Sequence, residues 1–268
     1  MKKIIALVLA LLLCAALTLT ALAEDAAVQA ILDKGQLVLG LDDSFPPMGF
    51  RDEANEIVGF DIDVAQEVAN RLGVELVKQP IDWSAKELEL SSGNIDCIWN
   101  GMSITPAREE SMSMTFSYLN NAIEVYVKTD SGIATLEDLA GKKVAVQSGS
   151  FAEEVLDGEE YAELKASLGE VLSFDEYLTA LMDLQGGGVD AVLIDRVVGE
   201  YKIAGMGATD IQAALELADD NFGIGFRKEE AGLRDKVQEI LIEMKKDGSL
   251  GEISTKWFGS DITTVPAE

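Results

Sequence analysis

The sequence contains no histidine, so it lacks the commonest general base and the commonest metal ligand of proteins. This absence excludes a Ser-His-Asp hydrolase and a histidine-based zinc hydrolase. Cysteine is scarce as well, because Cys14 and Cys97 are the two in the chain and Cys14 lies in an N-terminal segment that we expect to be removed. No intrachain disulfide is then available, and the fold must be stabilised by its apolar core. We expect no metal ion and no other cofactor.

Basic residues are few: 21 lysines and arginines stand against 48 aspartates and glutamates, which gives a net charge of −27. Such an acidic chain is a poor partner for nucleic acid or for an anionic lipid surface.

The sequence also lacks a low-complexity linker and an internal repeat, so a repeat array is not expected. With 268 residues, 48% of them apolar, the chain is long enough for one or two domains.

The first 23 residues have the layout of a cleavable secretory signal. Lys2-Lys3 precede an apolar run from Ile4 to Leu19, and Ala21-Leu22-Ala23 supplies a small-residue cleavage site before Glu24. The alternative is a retained membrane anchor, for which the run is short. We therefore expect an exported protein that begins near Glu24.

Apolar runs typical of strands alternate with helical periods along the rest of the chain. Phe60–Leu72 has the broad apolar stripe of a helix, and Gly73 stands where a helix C-terminus needs a left-handed residue. Alternation of this kind predicts an α/β fold with largely parallel sheet covered on both faces. The predicted strands are Leu37–Leu41, Val74–Val77, Cys97–Trp99, Ala122–Val127, Lys143–Val146 and Ala191–Ile194.

Capping signals predict where several other helices begin. Ser150 with Glu153, and Ser173 with Glu176, have the serine and glutamate spacing of a capping box, so each serine is expected to start a helix. Another helix is predicted to open at Thr135. The last long helix is expected to contain Leu233, Val237, Ile240, Leu241 and Met244 and to stop at Gly248.

Arg108 is the leading candidate for a ligand-binding residue. Thr105 and Pro106 are a good N-cap and N1 pair, so Arg108 is expected in the first turn of a helix that follows a buried strand. The free N–H groups of that turn and a guanidinium can together grip a carboxylate. A small carboxylic acid is therefore the expected guest, and the alternative is an arginine in a surface ion pair.

Several short motifs occur in a fixed order on both sides of Arg108. They begin with Gly59-Phe60-Asp61-Ile62-Asp63 and end with Lys256-Trp257-Phe258-Gly259. Between them come Asp96, Gly101, Ser103, Thr105, Arg108, Phe116 and Ser117. In order and spacing, from about Gly35 to Gly259, the chain resembles bacterial solute-binding protein family 3, the extracytoplasmic amino-acid-binding proteins of ABC importers. Each motif alone is only moderately specific.

The resemblance implies the two-lobed periplasmic-binding-protein fold of type II, with two parallel-rich sheets and a two-strand hinge. We expect the crossing strands near residues 118–122 and 218–222. Residues 1–23 would then be the signal peptide, residues 24–119 plus 221–268 the first lobe, and residues 120–220 the second lobe. One departure is that the family commonly has a proline before the tyrosine of the first crossing, whereas none precedes Tyr118.

The resemblance also implies roles for individual residues. Arg108, Ser103 and Ser150 would bind the ligand carboxylate, and Asp195 its ammonium, helped by the carbonyl of Gly101. Ser150 and Asp195 could instead be plain helix N-caps. Phe45 and Trp83 would sandwich the ligand side chain, or they could be core residues. Asp42, which follows the first predicted strand, would contact a polar or cationic tip of the ligand side chain. The complete expected set is Asp42, Phe45, Trp83, Asn100, Gly101, Met102, Ser103, Arg108, Gln147, Ser150, Phe151 and Asp195.

The expected function is binding of a free amino acid, with a polar or cationic side chain favoured, outside the cytoplasm. Closure of the two lobes would then deliver the ligand to a membrane ABC permease. We expect a monomer located in the periplasm or at the extracellular face of the cell membrane, and no enzymatic activity. Two alternatives remain open: an amino-acid-sensing module, and an enzyme resembling periplasmic cyclohexadienyl dehydratases. The sequence leaves the identity of the amino acid open.

Overall fold

The computed structural model describes residues 26–267. The predicted signal peptide, residues 1–23, lies outside this described part of the chain. Within residues 26–267, no helix has both the length and the apolar character needed to cross a membrane.

The first half of the described chain is rich in parallel strand pairs, as the alternating pattern predicted. β1 pairs in parallel with β5 on one side and with β6 on the other. The elements up to residue 114 are α1 (26–34), β1 (Gln36–Leu41), β2 (Ser44–Phe45), β3 (Gly49–Arg51), β4 (Ile57–Val58), α2 (Phe60–Leu72), β5 (Glu75–Pro80), α3 (Lys86–Ser91), β6 (Cys97–Ser103), α4 (Pro106–Ser111) and β7 (Ser113–Met114).

The second half has a similar set of parallel pairs around β9, which pairs in parallel with β10 and β11. The elements are β8 (Leu119–Lys128), β9 (Lys143–Gln147), α5 (Phe151–Asp157), α6 (Ala162–Ser167), β10 (Glu170–Phe174), α7 (Tyr177–Gly186), β11 (Ala191–Asp195), α8 (Arg196–Met206), β12 (Ile211–Phe226), α9 (Ala231–Asp247) and α10 (Ser249–Phe258). Short 3₁₀ turns lie at Trp83–Ala85, Leu136–Leu139 and Glu159–Tyr161.

Hydrogen bonding joins these strands into one mixed sheet in the order β10-β9-β11-β8-β12-β6-β1-β5, with β7 on β12. The long strands β8 and β12 lie in the middle and pair with each other antiparallel. They connect the two parallel regions, where two separate sheets had been expected. A small antiparallel sheet, β2-β3-β4, is separate from this path.

Both segments predicted as crossings lie on this β8–β12 pair. Asn121 stands opposite Asp220, and Leu119 stands opposite Phe222. The C-terminal residues cover the start of β8, because the Thr264 N–H donates to the Tyr118 carbonyl at 2.9 Å. The C-terminal residues around Thr264 therefore contact the crossing as a third segment of chain, in addition to β8 and β12.

Helix α2 shows how local signals set an element. Its bounds, Phe60–Leu72, are those predicted, and Phe60, Val64 and Val68 are fully buried. Gly73 ends the helix with φ of 76°, in the left-handed conformation that glycine adopts without steric cost.

One of the helix predictions is wrong. Ser173 does not start a helix; it lies in β10, opposite Val146 of β9, and helix α7 begins at Tyr177. Pairing with β9 overrides the local capping signal there. Helix α9 ends at Asp247 before Gly248, as predicted for the last long helix, and the shorter helix α10 follows directly.

The core lies on both faces of the sheet and contains the cysteine of the described residues. Trp99, Phe222 and Phe226 are fully buried on the first-lobe side, and Cys97 is equally buried in β6. Burial, and then the neighbouring Asp96 carboxylate, raise the pKa of the Cys97 thiol, so the thiol is poorly reactive. The stability of residues 26–267 therefore comes from packing without a disulfide.

Candidate functional site

Arg108 lies in the first turn of α4, as predicted, and its guanidinium is buried. The Thr105 hydroxyl accepts a hydrogen bond from the Arg108 N–H at 3.3 Å, and Pro106 occupies the first helical position. The guanidinium donates from Nη1 to the Ser103 carbonyl at 2.9 Å and from Nη2 to the Glu154 carboxylate. Its Nε–H is buried without a partner in the described chain. A buried arginine with a spare donor does not fit the surface ion pair that was the alternative.

A chain of hydrogen bonds links Arg108 to Asp195. The Ser103 hydroxyl, next to the carbonyl that Arg108 binds, donates to Asp220 Oδ2 at 3.0 Å. Asn121 Nδ2 then donates to Asp220 Oδ2 at 2.9 Å and to Asp195 Oδ1 at 2.7 Å. All of these side chains are buried. The predicted carboxylate-binding and ammonium-binding residues therefore belong to one network.

The two carboxylates of this network lie close together in a dry environment. Burial, and next the charge of Asp220, raise the pKa of Asp195. Burial also raises the pKa of Asp220, although hydrogen bonds from Asn121 and Ser103 and the charge of Arg108 act in the opposite direction. Two buried carboxylates that share one amide donor form a site for a cation, because an added positive charge offsets both desolvation and mutual repulsion.

Ser150 and Asp195 could each have been a plain helix N-cap, and the structure shows a capping hydrogen bond for Ser150 but not for Asp195. Ser150 does cap α5, since its hydroxyl oxygen accepts from the Glu153 N–H at 3.2 Å. The hydroxyl proton is still free to donate elsewhere. Asp195 occupies the N-cap position of α8, but its side chain makes no capping hydrogen bond and faces Asn121 instead.

Asp42 lies in a second polar group of the cleft, together with Gln147. Asp42 Oδ1 accepts from the N–H and hydroxyl of Ser44 at 2.8 and 2.7 Å, and Oδ2 accepts from Gln147 Nε2 at 2.7 Å. The Asp42 N–H donates to Asn100 Oδ1 at 3.1 Å. A Cβ on Gly49 would lie 2.5 Å from Asn100 Nδ2, so the Asn100 amide is packed between backbone segments.

The aromatic candidates are buried on the first-lobe side. The Phe45 ring lies 6.0 Å from that of Tyr177, and Trp83 has the Lys86 ammonium 5.2 Å from its ring centroid. Gly101, with φ of 59°, packs against Phe45 so closely that a Cβ would approach the ring to 2.7 Å. A side chain at position 101 would therefore displace Phe45.

The side chains of Met102 and Phe151, two other members of the expected set, lie outside the polar network and pack against apolar residues. Side chains alternate along a strand, so Met102 points away from its neighbours in β6 and packs in an apolar cluster with Met112 and Met114. Phe151 packs against the buried apolar cluster that contains Val146 and Leu156, and it lines a cavity of about 470 Å³.

Besides the Ser103–Asp220 hydrogen bond at the crossing, three polar contacts join residues of the predicted first lobe to residues of the predicted second. These are Asp42 with Gln147, Arg108 with Glu154, and the Lys86 ammonium with the Gly149 carbonyl at 2.8 Å. Burial, and then the charge of Arg108, lower the pKa of Lys86. Each of these contacts can hold the two sides of the cleft together.

The sequence interpretation missed four polar residues of the site: Asn121, Glu154, Tyr177 and Asp220. Asp220 and Asn121 lie within the predicted crossings. Polar residues flanked by apolar ones in these segments could have indicated a polar site there. Glu154 and Tyr177 carried no local signal. The buried Tyr177 hydroxyl lies near Ser150 and Asp195, and burial followed by the charge of Asp195 raises its pKa.

Asp61 positions Gly101 and the start of the crossing from within the core. Its Oδ2 accepts from the Gly101 N–H at 2.7 Å and from the Tyr118 hydroxyl at 2.9 Å, while Oδ1 is buried without a partner. Burial raises the pKa of Asp61 to about 7. The folded state therefore favours the protonated acid, and the wild-type protein loses stability as the pH rises from about 4, the pKa in the unfolded chain, to about 7.

We expect Asp61→Asn to remove this pH dependence. Relative to wild type, the variant should gain up to about 4 kcal/mol of unfolding free energy between pH 4 and pH 8. Urea unfolding at several pH values measures the difference, and Asp130→Asn, at an exposed position, is the control. A constant difference between variant and wild type at all pH values would show that folding does not raise the pKa of Asp61.

Comparisons with known proteins agree with this geometry. The family model described as bacterial extracellular solute-binding proteins, family 3, matches residues 37–260. The chain is 30% identical over 258 residues to the L-cystine-binding protein TcyJ of Escherichia coli strain K12, covering 96% of this chain and 95% of that protein. It is 30% identical over 232 residues to the arginine-binding extracellular protein ArtP of Bacillus subtilis strain 168, covering 84% of this chain and 87% of that protein.

A solved structure confirms the predicted type II fold. An ABC uptake transporter substrate-binding protein from Streptococcus pneumoniae, with bound histidine, matches with a TM-score of 0.84 and 36% identity over 88% of this chain and 97% of that chain. The family model alone spans most of the sequence. The chain therefore belongs to the bacterial extracellular solute-binding proteins, family 3.

Proposed function

We propose that this protein binds a free amino acid, with a polar or cationic side chain, between its two lobes. The buried network that joins one guanidinium to two carboxylates is the observation that carries the proposal. A ligand carboxylate would bind Arg108, through the spare Nε–H and the Nη2 now used by Glu154, with the Ser150 hydroxyl as a further donor. The ligand ammonium would lie between Asp195 and Asp220. Such pairing satisfies every charge of a zwitterion in a dry cleft.

Closure of the two lobes follows from where these groups originate. With residues 24–119 plus 221–268 as one lobe and 120–220 as the other, Arg108 and Asp195 lie on opposite lobes. A ligand that contacts both stabilises the closed form more than the open form. Shifting the ratio of closed to open from 1:99 to 99:1 needs about 5.5 kcal/mol of differential binding, which two buried ionic contacts can supply.

The bound amino acid would be delivered for import into the cell. The relatives named above bind cystine, arginine or histidine, and all three ligands carry a second polar or ionisable group. Residues 1–23 would direct export, and the loaded monomer would dock on a membrane ABC permease outside the cytoplasm. The roles of Asp42, Phe45 and Trp83 in contacting the ligand side chain belong to the same proposal.

Thermal shift across the twenty amino acids, ornithine, citrulline and cystine tests this function. A ligand at 100 times its dissociation constant is expected to stabilise the protein by about 2.7 kcal/mol, which raises Tm by roughly 5–10 °C for a chain of this size. D-amino acids are the control, since their ammonium and side chain exchange positions. No shift with any L-amino acid of the panel would contradict the proposal.

A further inference from the structure

Glu154 reaches across the cleft to the residue that would bind the ligand carboxylate. Its own carboxylate accepts a hydrogen bond from Arg108 Nη2 and forms an ion pair with that guanidinium. Arg108 Nη1 donates to the Ser103 carbonyl at 2.9 Å, so the edge formed by Nη2 and the buried Nε–H is the one left for a carboxylate. Nη2 carries two N–H groups, but two carboxylates on one nitrogen would lie close enough to repel each other. A ligand carboxylate and Glu154 therefore compete for the same edge of Arg108.

The position of Glu154 is set by the first turn of α5. The Glu154 N–H donates to the Ser150 carbonyl at 3.2 Å, and the helix packs on β9 and β11 of the sheet. The neighbouring Glu153 is bound within its own lobe, because its carboxylate accepts from the Gly149 N–H and from the Ser173 hydroxyl, each at 2.7 Å. Of the two glutamates in this turn, Glu154 is therefore the one that crosses the cleft.

The Glu154 carboxylate lies near two buried cations of the first lobe. The Arg108 side chain is 5% exposed and the Lys86 side chain 2% exposed. The Lys86 ammonium donates to the Gly149 carbonyl at 2.8 Å, just before the turn that carries Glu154. Burial and then the charge of Arg108 lower the pKa of Lys86, whereas the charges of Glu87 and Glu154 act in the opposite direction. Two cations that repel each other in a dry site are stabilised by a nearby anion, and Glu154 supplies that anion from within the chain.

We propose, on the basis of the proposed function, that Glu154 is a built-in competitor of the ligand carboxylate, which holds the two lobes together through Arg108 until a ligand displaces it. The contact joins the predicted lobes directly and acts beside the Lys86 and Gln147 contacts described above. A molecule in which Glu154 occupies Arg108 is not competent to bind a carboxylate there. The apparent dissociation constant is then the intrinsic constant divided by the fraction of molecules in which this contact is broken. Glu154 therefore sets the concentration of amino acid at which the protein is filled.

Glu154→Gln tests the competition, because glutamine keeps the size of the side chain and removes its charge. In calorimetric titration with the amino acid that gives the largest thermal shift, we expect the variant to bind about 3- to 10-fold more tightly than wild type. The factor is modest because the Glu154 side chain is 40% exposed, which weakens the ion pair that is lost. Glu163→Gln makes the same change of net charge at an exposed position of α6 and should leave the affinity unchanged.

Unchanged or weaker binding by Glu154→Gln would overturn the inference, while binding of an amino acid by wild type would still support the proposed function. Weaker binding would show that Glu154 orients Arg108 in the complex instead of competing for it. No binding of any amino acid by either protein would overturn both.

Small-angle X-ray scattering separates the loss of this contact from a general effect of charge. Without added amino acid, Glu154→Gln should have a larger radius of gyration than wild type and Glu163→Gln, because one of the contacts that hold the lobes together is lost. At saturating amino acid the three proteins should have the same radius, since the ligand then joins the lobes. Equal radii of Glu154→Gln and wild type without amino acid would show that Glu154 does not hold the lobes together, and would overturn the inference.

Discussion

Replacing Arg108 by alanine is expected to weaken amino acid binding on the order of 100- to 1000-fold, the usual effect of removing one partner of a buried charge-assisted contact. Arg108 is 4% exposed, and its buried Nε–H has no partner in the described chain. A ligand carboxylate can bind this Nε–H and, in place of Glu154, the neighbouring Nη2 through two parallel hydrogen bonds. Arg108→Lys should recover little of the affinity, because an ammonium cannot form the planar pair.

Calorimetric titration with the amino acid that gives the largest thermal shift measures this effect. The matched control is Arg71→Ala, since Arg71 forms ion pairs with Glu67 at 2.8 Å and Asp247 at 2.7 Å on the helical surface of the first lobe. That control should lose a modest amount of stability and none of the affinity. Unchanged affinity in Arg108→Ala would remove the carboxylate site from the proposal.

Asp195→Asn is expected to weaken binding by about 100-fold while making the ligand-free protein more stable at neutral pH. The amide cannot neutralise an ammonium, so affinity falls. Stability rises because the variant removes one of two buried carboxylates that share Asn121. Since the pKa of Asp195 is raised in the folded state, wild type loses stability as the pH rises above about 4, and this loss should be smaller in the variant.

Denaturant unfolding at pH 5 and pH 8, together with calorimetric titration, measures the two effects in one protein. Asp219→Asn is the control, because Asp219 precedes Asp220 in β12 but is exposed. Its stability and affinity should both remain close to those of wild type. Normal binding by Asp195→Asn would show that the carboxylate does not face an ammonium in the complex. Lower stability of the variant at pH 8 would show that the Asp195 carboxylate does not destabilise the ligand-free protein.

Local signals accounted for the parts of this molecule that form within a few residues. The bounds of α2 follow from an apolar stripe that ends at Gly73. The place of Arg108 follows from Thr105 and Pro106, which define the first turn of α4. Each of these features depends on neighbours in sequence, and each could be predicted without knowledge of the tertiary structure.

The remaining parts depend on pairing between distant segments. Asp220 reaches Asn121 because β8 and β12 pair across the crossing, and nothing near Asp220 specifies that register. Glu154 lies on α5, whose orientation is set by packing on the sheet. Ser173 had a sound capping signal, which strand pairing overrode.

Cys97 has a practical consequence for following lobe movement in solution. It is the one cysteine of the described residues, it is inaccessible, and its thiolate is disfavoured. Thiols introduced at exposed Glu53 and Glu163, one on each predicted lobe, would be the groups that react with maleimide dyes. A donor and acceptor pair attached there would report opening and closing by energy transfer, with the native thiol left in place.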